Sequence, residues 1–391
     1  MISRSMRHIP AVLFVLLFAG CALHPTFPPG EACVARGFTV TDGFSGARRG
    51  SCTVLSANHV RLEILPEDET YINNSPWYAF RITPTAADTA KVTLQYQGGT
   101  HRYWPKTSLD GLTWIRLADG DLTTGDDGAR AEFMIPLSAE PVYVSAQELV
   151  TVQNYDAWNG KMAAAAGLRL NELGKSLLGQ PIFALDNSAE SDDVLLLIGR
   201  QHPPEVSGAF AFFAFTETLF GESDLARRFR ERFRVIAIPL MNPDGVEAGN
   251  WRHNLGHVDI NRDWGPFTQP ETRMVGELLD ELDAGGSTLR MFVDFHSTNE
   301  NVFYTQQEPT NPTDFARTWL DNAALRIDGY AFRNGEAPAQ NPAVAKNYVY
   351  TRYGIPAVTY EVGEETDRGA TQAAARVFAE ELMRLMLEQE Y

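Results

Sequence analysis

The sequence is poor in cysteine and in positive charge. Its 391 residues include only three cysteines, too few for a zinc site built from cysteine thiolates. The 50 acidic residues outnumber the 33 basic ones, for a net charge of −17. This balance argues against binding to nucleic acid and against electrostatic attachment to anionic lipid. With 44% hydrophobic residues, no repeat and no low-complexity tract, the chain has the composition of a globular protein.

The N-terminus has the pattern of an export signal. A basic start precedes a short apolar run at 10–20, which is too short to span a bilayer as a mature helix. The run ends Phe18-Ala19-Gly20-Cys21, which resembles a bacterial lipoprotein cleavage site. We therefore predict a signal peptide at 1–20 and a periplasmic or cell-surface lipoprotein whose only membrane attachment is a lipid on Cys21. Ordinary cleavage near Ala22 is the alternative.

Residues 21–31 are proline-rich and are predicted to form a tether. The cysteines Cys33 and Cys52 follow, and in an exported protein such a pair usually forms a disulfide. Two free buried thiols are the alternative.

Residues 32–148 contain short alternating apolar runs between turn residues. Six predicted strands at this spacing indicate an antiparallel β-sandwich; they lie at 60–64, 77–82, 91–96, 113–117, 131–135 and 142–144. Its two histidines have no ligand spacing, so we expect this domain to be non-catalytic.

In residues 149–391, strands and helices alternate after an initial helical stretch. Predicted strands lie at 194–198, 234–239, 290–296, 301–304 and 357–362, and predicted helices at 206–220, 224–233, 271–283, 314–327 and 370–388. This alternation predicts an α/β domain with a mainly parallel mixed sheet and helices on both faces.

Metal-ligating side chains follow two of these strands. His202 and Glu205 lie in the turn after 194–198, where open α/β sheets place their sites. His296 ends the strand 290–296, with Asp294 on the same face. Two histidines and one glutamate leave a fourth zinc position open, the pattern of a catalytic site. Taken alone, His296 could equally be a satisfied buried histidine.

A carboxylate and two arginines complete the candidate site. Glu361 lies in an otherwise apolar strand, and a buried carboxylate is costly without a partner or a task. It is the best candidate for the base that deprotonates water during attack on a carbonyl. Arg252 and Arg262 suit a negatively charged substrate, although pairing with Asp259 and Asp263 is the alternative.

From about residue 150 to its end, the chain resembles the zinc carboxypeptidases of the carboxypeptidase A type, the M14 metallopeptidases. The matching pieces occur in the family's order: His202-Pro203-Pro204-Glu205, Asn242-Pro243-Asp244-Gly245, Asn261-Arg262-Asp263-Trp264, Asp294-Phe295-His296-Ser297 and Tyr360-Glu361. The front domain, with Asn74-Ser75-Pro76-Trp77-Tyr78-Ala79-Phe80, looks more like the cytosolic-carboxypeptidase branch, which includes bacterial members.

The resemblance implies a carboxypeptidase-like fold and a role for each matching residue. His202, Glu205 and His296 would hold Zn²⁺, and Glu361 would be the general base. Arg252 would stabilise the oxyanion, while Asn261 and Arg262 would bind the terminal carboxylate of a peptide. Lys346 would select an acidic C-terminal side chain, unless it is a solvated surface lysine. A tyrosine that closes over the substrate would be Tyr348 or Tyr350, unless both are structural.

The function implied is a zinc-dependent metallocarboxypeptidase that hydrolyses the C-terminal peptide bond of peptides. The alternatives are a carboxypeptidase or amidase acting on peptidoglycan stem peptides, and a zinc deacylase of acylated amino acids. A non-catalytic binding module on the same fold is a third alternative.

Overall fold

The computed structural model describes residues 30–68 and 75–390. The predicted signal peptide, Cys21 and most of the predicted tether lie outside these residues. None of the helices in the described ranges is both long and apolar enough to cross a membrane.

The front part of the chain forms two β-sheets. Its strands are β1 (Cys33–Val34), β2 (Phe38–Thr41), β3 (Cys52–Ser56), β4 (His59–Ile64), β5 (Ala79–Pro84), β6 (Thr89–Tyr96), β7 (Lys106–Ser108), β8 (Ile115–Arg116), β9 (Leu122–Gly125), β10 (Arg130–Pro136) and β11 (Val142–Ser145). One sheet has the order β1-β2-β5-β11-β7-β8 and the other β3-β4-β6-β10-β9.

Alternating apolar residues from both sheets pack into one core, as a sandwich requires. Phe38 and Val144 contribute from one sheet, and Val92 and Phe133 from the other. The pairing departs from the prediction at one place, because β4 and β6 are parallel. The predicted disulfide between Cys33 and Cys52 is present.

The second part of the chain alternates strands and helices. Its strands are β12 (Arg169–Lys175), β13 (Pro181–Asp186), β14 (Asp193–Gly199), β15 (Arg234–Ile238), β16 (Thr288–Thr298), β17 (Val302–Gln306), β18 (Arg333–Ala337) and β19 (Ala357–Gly363). Its helices are α1 (Val152–Ala166), α2 (Val206–Leu219), α3 (Asp224–Arg232), α4 (Pro243–Ala248), α5 (Pro270–Ala284), α6 (Phe315–Ala324), α7 (Ala345–Tyr353) and α8 (Arg368–Glu388).

These strands form one mixed sheet in the order β12-β13-β15-β14-β16-β19-β17-β18. Its centre, β15-β14-β16-β19, is parallel, while β13 and β17 pair antiparallel with their inner neighbours. Leu195 and Leu197 face the core formed with α2, α3, α6 and α8. Leu196 and Ile198 face the core formed with α5 and α7. The predicted α/β class, with helices on both faces, is confirmed.

Some elements escaped the prediction. Helix α4, whose N-cap residue is Asn242, was not predicted. There the Asn242 side chain accepts a hydrogen bond from the Gly245 N–H, which is the usual chemistry of an N-cap. Helix α7 and strands β12, β13 and β18 were also not predicted.

Candidate active site

Three adjacent parallel strands bring the candidate residues together. Ile198 of β14 pairs with Asp294 of β16, and His296 of β16 pairs with Glu361 of β19. The carboxyl ends of these strands therefore lie at one edge of the sheet. His202 and Glu205 sit in the turn between β14 and α2, at the same edge.

The turn after β14 is held in an unusual conformation. Arg200 adopts a left-handed backbone with φ of 58°, which is uncommon outside glycine and costs free energy. Its guanidinium donates to the Pro203 carbonyl at 2.7 Å and to the Tyr155 hydroxyl at 3.0 Å. A Cβ at Gly208 would overlap the His296 carbonyl, so glycine lets α2 pack directly on β16. These contacts fix the turn against the neighbouring strand.

The three predicted zinc ligands converge on one point. His202 Nδ1 lies 2.8 Å from Glu205 Oε1, and His296 Nδ1 lies 2.7 Å from Glu205 Oε2. One ligand atom from each residue lies within 4.8 Å of the others. Glu205 is the N-cap residue of α2, yet its side chain does not cap the helix. Its carboxylate is directed at the two imidazoles instead.

Each imidazole is oriented by a second carboxylate on its other nitrogen. His202 Nε2 lies 3.0 Å from Asp259 Oδ1, and His296 Nε2 lies 2.8 Å from Asp294 Oδ2. Burial lowers the pKa of His296, but Asp294 and Glu205 outweigh it and hold that pKa well above the ordinary value. Outer carboxylates of this kind orient the histidine ligands of metal sites.

The donor set fits Zn²⁺. An imidazole whose Nε2 hydrogen is given to an outer carboxylate turns the lone pair of Nδ1 inward. Here both inward nitrogens face oxygens of Glu205, and such groups need a proton or a cation between them. Two imidazole nitrogens and one carboxylate are the ligands of catalytic zinc sites with an open position.

Glu361 lies beside this cluster with an unsatisfied oxygen. Its Oε2 is buried and has no hydrogen-bond partner among the described residues. Burial, aided by the nearby Glu205 and Asp294 charges, raises the pKa of Glu361 to about 7 in the metal-free chain. A buried polar atom without a partner is unusual in a folded protein. Glu361 also lines a cavity of about 180 Å³.

Three further predicted residues line this cavity. Arg252, Asn261 and Arg262 line it together with His202, Glu205 and Glu361. Arg252 donates from Nε to Asp259 Oδ2 at 2.7 Å, while its terminal nitrogens have no hydrogen-bond partner among the described residues. The Asn261 side chain accepts from the Ala345 N–H at 2.9 Å, which ties α7 to the site.

The front domain, which we expected to be non-catalytic, contributes side chains to the cavity lining. Arg102 and Tyr103 line the cavity, as does Glu364. Glu364 is buried and forms a two-point ion pair with Arg102. Sequence reasoning missed the place of Arg102 in the cavity. The contact with Glu364 joins residues 262 positions apart, and no local sequence pattern predicts a contact over that separation.

The remaining predicted residues lie around α7. Lys346 is 7% exposed, which rules out a solvated surface lysine, but it does not line the cavity. Burial lowers the pKa of Lys346 to about 8. The ring of Tyr348 packs against Trp264 and Phe267, also outside the cavity lining. The Tyr350 hydroxyl donates to the Pro309 carbonyl.

Comparison with known proteins identifies the family. The family model of the zinc carboxypeptidases, Peptidase M14, matches residues 156–377, more than half of the chain. The chain belongs to the zinc carboxypeptidase family, as its motifs predicted. Membership makes it a zinc-dependent metallopeptidase of the carboxypeptidase class.

Relatives and solved structures agree with this assignment. An uncharacterized protein of Zymomonas mobilis is 25% identical over 325 residues, covering 78% of this chain and 82% of that protein. Cytosolic carboxypeptidase 2 of Danio rerio is 32% identical over 156 residues, which cover 36% of this chain but only 21% of the relative. The cytosolic-carboxypeptidase likeness predicted from the motifs is therefore confirmed.

Two solved bacterial structures share the fold over both parts of the chain. The metallo-carboxypeptidase of Burkholderia cenocepacia has a TM-score of 0.73 at 19% identity, covering 90% of this chain and 99% of that one. The metallo-carboxypeptidase of Pseudomonas aeruginosa has a TM-score of 0.71 at 21% identity, covering 89% and 99%. The latter was solved in complex with (2-guanidinoethylmercapto)succinic acid.

Proposed function

We propose that this chain removes the C-terminal residue of peptides, with Glu361 as general base. The observation that carries the proposal is the buried Glu361 Oε2, which has no hydrogen-bond partner in the described part of the chain, beside three converging zinc ligands. His202, Glu205 and His296 would hold Zn²⁺. When bound there, the ion would polarise the scissile carbonyl and lower the pKa of the attacking water.

The chain's own residues would divide the remaining work. Glu361 takes a proton from the attacking water and then delivers it to the leaving amine. Arg252, whose terminal nitrogens have no hydrogen-bond partner among the described residues, would present its guanidinium to the carbonyl oxygen as that oxygen becomes negative, where a fixed cation stabilises the charge most. Asn261 and Arg262 bind the free carboxylate of the substrate. Because both line the same small cavity as Glu361, they would restrict cleavage to the last peptide bond.

We further propose a preference for acidic C-terminal residues. Lys346 is a buried cation whose hydrogen-bond partner is the neutral Asn347 side chain at 2.9 Å. It forms no salt bridge within the described residues, and burying an unpaired charge costs free energy. A substrate carboxylate would supply the missing counter-ion. The N–H of the neighbouring Ala345 donates to Asn261, so Lys346 adjoins in sequence a residue that contacts the proposed carboxylate-binding group.

The test is hydrolysis of blocked dipeptides that differ only in their last residue. We expect release of C-terminal Glu or Asp in preference to Ala, Phe or Lys, abolished by a chelator and restored by Zn²⁺. The matched peptide with a C-terminal amide should not be cleaved. Cleavage of the amide would refute the exopeptidase proposal. If the enzyme cleaved only muropeptide stem peptides, or only acylated amino acids, that compound class would replace simple peptides as the proposed substrate.

We also propose that the protein is exported and anchored by a lipid on Cys21. The disulfide between Cys33 and Cys52 supports export, because such bonds persist in oxidising compartments. Mass spectrometry of the mature N-terminus, in the wild type and in Cys21→Ser, tests this. A diacylated Cys21 is expected, and an unmodified N-terminus at Ala22 would refute the anchor.

A further inference from the structure

A carboxylate of the front domain accepts hydrogen bonds from the backbone of the segment that contains Arg252. Glu67 follows strand β4, and its side chain is 0% exposed. Its Oε2 accepts hydrogen bonds from the backbone N–H groups of Trp251 and Arg252, the latter at 2.9 Å. Its Oε1 accepts from the His253 N–H at 2.8 Å. Three consecutive backbone donors therefore converge on one buried carboxylate.

This arrangement matters because residues 250–259 form neither helix nor strand. Buried backbone N–H groups outside regular structure need other acceptors. An ionised carboxylate makes shorter and stronger hydrogen bonds than a neutral acceptor does. Glu67 thus fixes the main chain on both sides of Arg252, while Asp259 fixes the Nε of its side chain.

Further contacts from the front domain brace the same segment. Asp68 accepts hydrogen bonds from Nδ1 of both His253 and His257. Arg48 donates to the Asn250 side chain at 3.1 Å and to the Pro66 carbonyl at 3.1 Å. One guanidinium thereby joins the segment to the loop that carries Glu67.

We propose that Glu67 is a positioning residue that holds Arg252 where the oxyanion forms, so that the front domain completes the active site. The proposal rests on the proposed function of Arg252. Removing one oxyanion-stabilising group typically costs about 10² to 10³ in kcat, and a misplacement of about 1 Å can cost about 10². Glu67 would act through this geometry without contacting the substrate.

The test is the substitution Glu67→Gln. Its amide NH₂ replaces one of the two acceptor oxygens, and an NH₂ group cannot accept the backbone hydrogen bonds that this oxygen receives. We expect kcat for the best dipeptide to fall about tenfold to a hundredfold, KM to change less than about threefold, and zinc content to stay unchanged. The decisive measurement is a double-mutant cycle. In an Arg252→Ala background, Glu67→Gln should lower kcat by less than about twofold, because the group it positions is absent.

Glu148→Gln is the matched control. It makes the same chemical change in a carboxylate that pairs with Arg368 at 2.9 Å, and Glu148 lies outside the cavity lining. Wild-type kcat in Glu67→Gln, or equal losses with and without Arg252, would overturn the proposal. Inactive wild-type enzyme would refute the proposed function instead. If Glu67→Gln does not fold, Asp68→Asn takes its place, because Asp68 contacts His253 and His257 of the same segment. The double-mutant cycle with Arg252→Ala is then repeated with Asp68→Asn, and the same two outcomes would overturn the proposal.

Discussion

Replacing Asp294 by asparagine should weaken zinc binding while leaving the shape of the site unchanged. Asp294 is 0% exposed, and its Oδ2 lies 2.8 Å from His296 Nε2. Asparagine can still accept this hydrogen bond, but without the negative charge. A charged hydrogen bond contributes about 1.5–3 kcal/mol and a neutral one about 0.5–1.5 kcal/mol. The difference of about 1–2 kcal/mol corresponds to a roughly fivefold to thirtyfold weaker Kd.

The assay is a competition titration of Zn²⁺ against a chelator of known affinity. Asp193→Asn is the matched control, since Asp193 pairs with Arg290 at the amino end of strand β14, away from the ligands. At saturating Zn²⁺ the kcat of Asp294→Asn should stay within about tenfold of the wild type, because the base and the substrate-binding groups remain. An unchanged Kd for zinc would refute the role assigned to the outer carboxylates.

Three further predictions follow from the structure. Because the pKa of His296 is held well above its ordinary value, Zn²⁺ must displace a proton below that pKa. Zinc affinity should therefore rise by about tenfold per pH unit per proton, and a Kd that does not vary with pH would contradict this. Lys346, with its pKa lowered to about 8, is charged below that pH and neutral above it. The ratio of kcat/KM for C-terminal Glu over Gln should fall between about pH 7 and pH 9, and should be low and flat in Lys346→Met; an unchanged ratio in the variant would exclude this pocket. The disulfide joins residues 19 positions apart, so replacing both cysteines by serine should lower the free energy of unfolding by about 3 kcal/mol. Urea denaturation measures this, and a loss below about 1 kcal/mol would contradict it.

The sequence predicted the elements whose apolar pattern is strongest. Strands β14, β16 and β19 are buried on both faces, and their apolar runs locate the turn of His202 and the strand ends of His296 and Glu361. Parallel strands then bring those ends to one edge. Helix α4 was missed because Asn-Pro-Asp-Gly favours a turn as strongly as it favours a helix start.

The part of the site built by distant contacts could not be predicted. Arg102 and Glu67 have ordinary surface residue types, and no periodicity marks them as contacts of the second part of the chain. Glu67 contacts residues 251–253 and Arg102 contacts Glu364 only because the sandwich packs against the second part of the chain. The same limit applies to Lys346, whose burial depends on α7, a helix with little amphipathic pattern to reveal it.

The most direct test of the account compares the wild type with Glu361→Gln, both fully loaded with Zn²⁺. General base catalysis typically contributes about 10² to 10⁴ in rate, so kcat should fall at least about a hundredfold with zinc content unchanged. Glu300→Gln, which alters an exposed carboxylate paired with Arg333, should keep wild-type kcat. If zinc-loaded Glu361→Gln retained kcat within about threefold of the wild type, Glu361 would not be the base, and the central claim would fail.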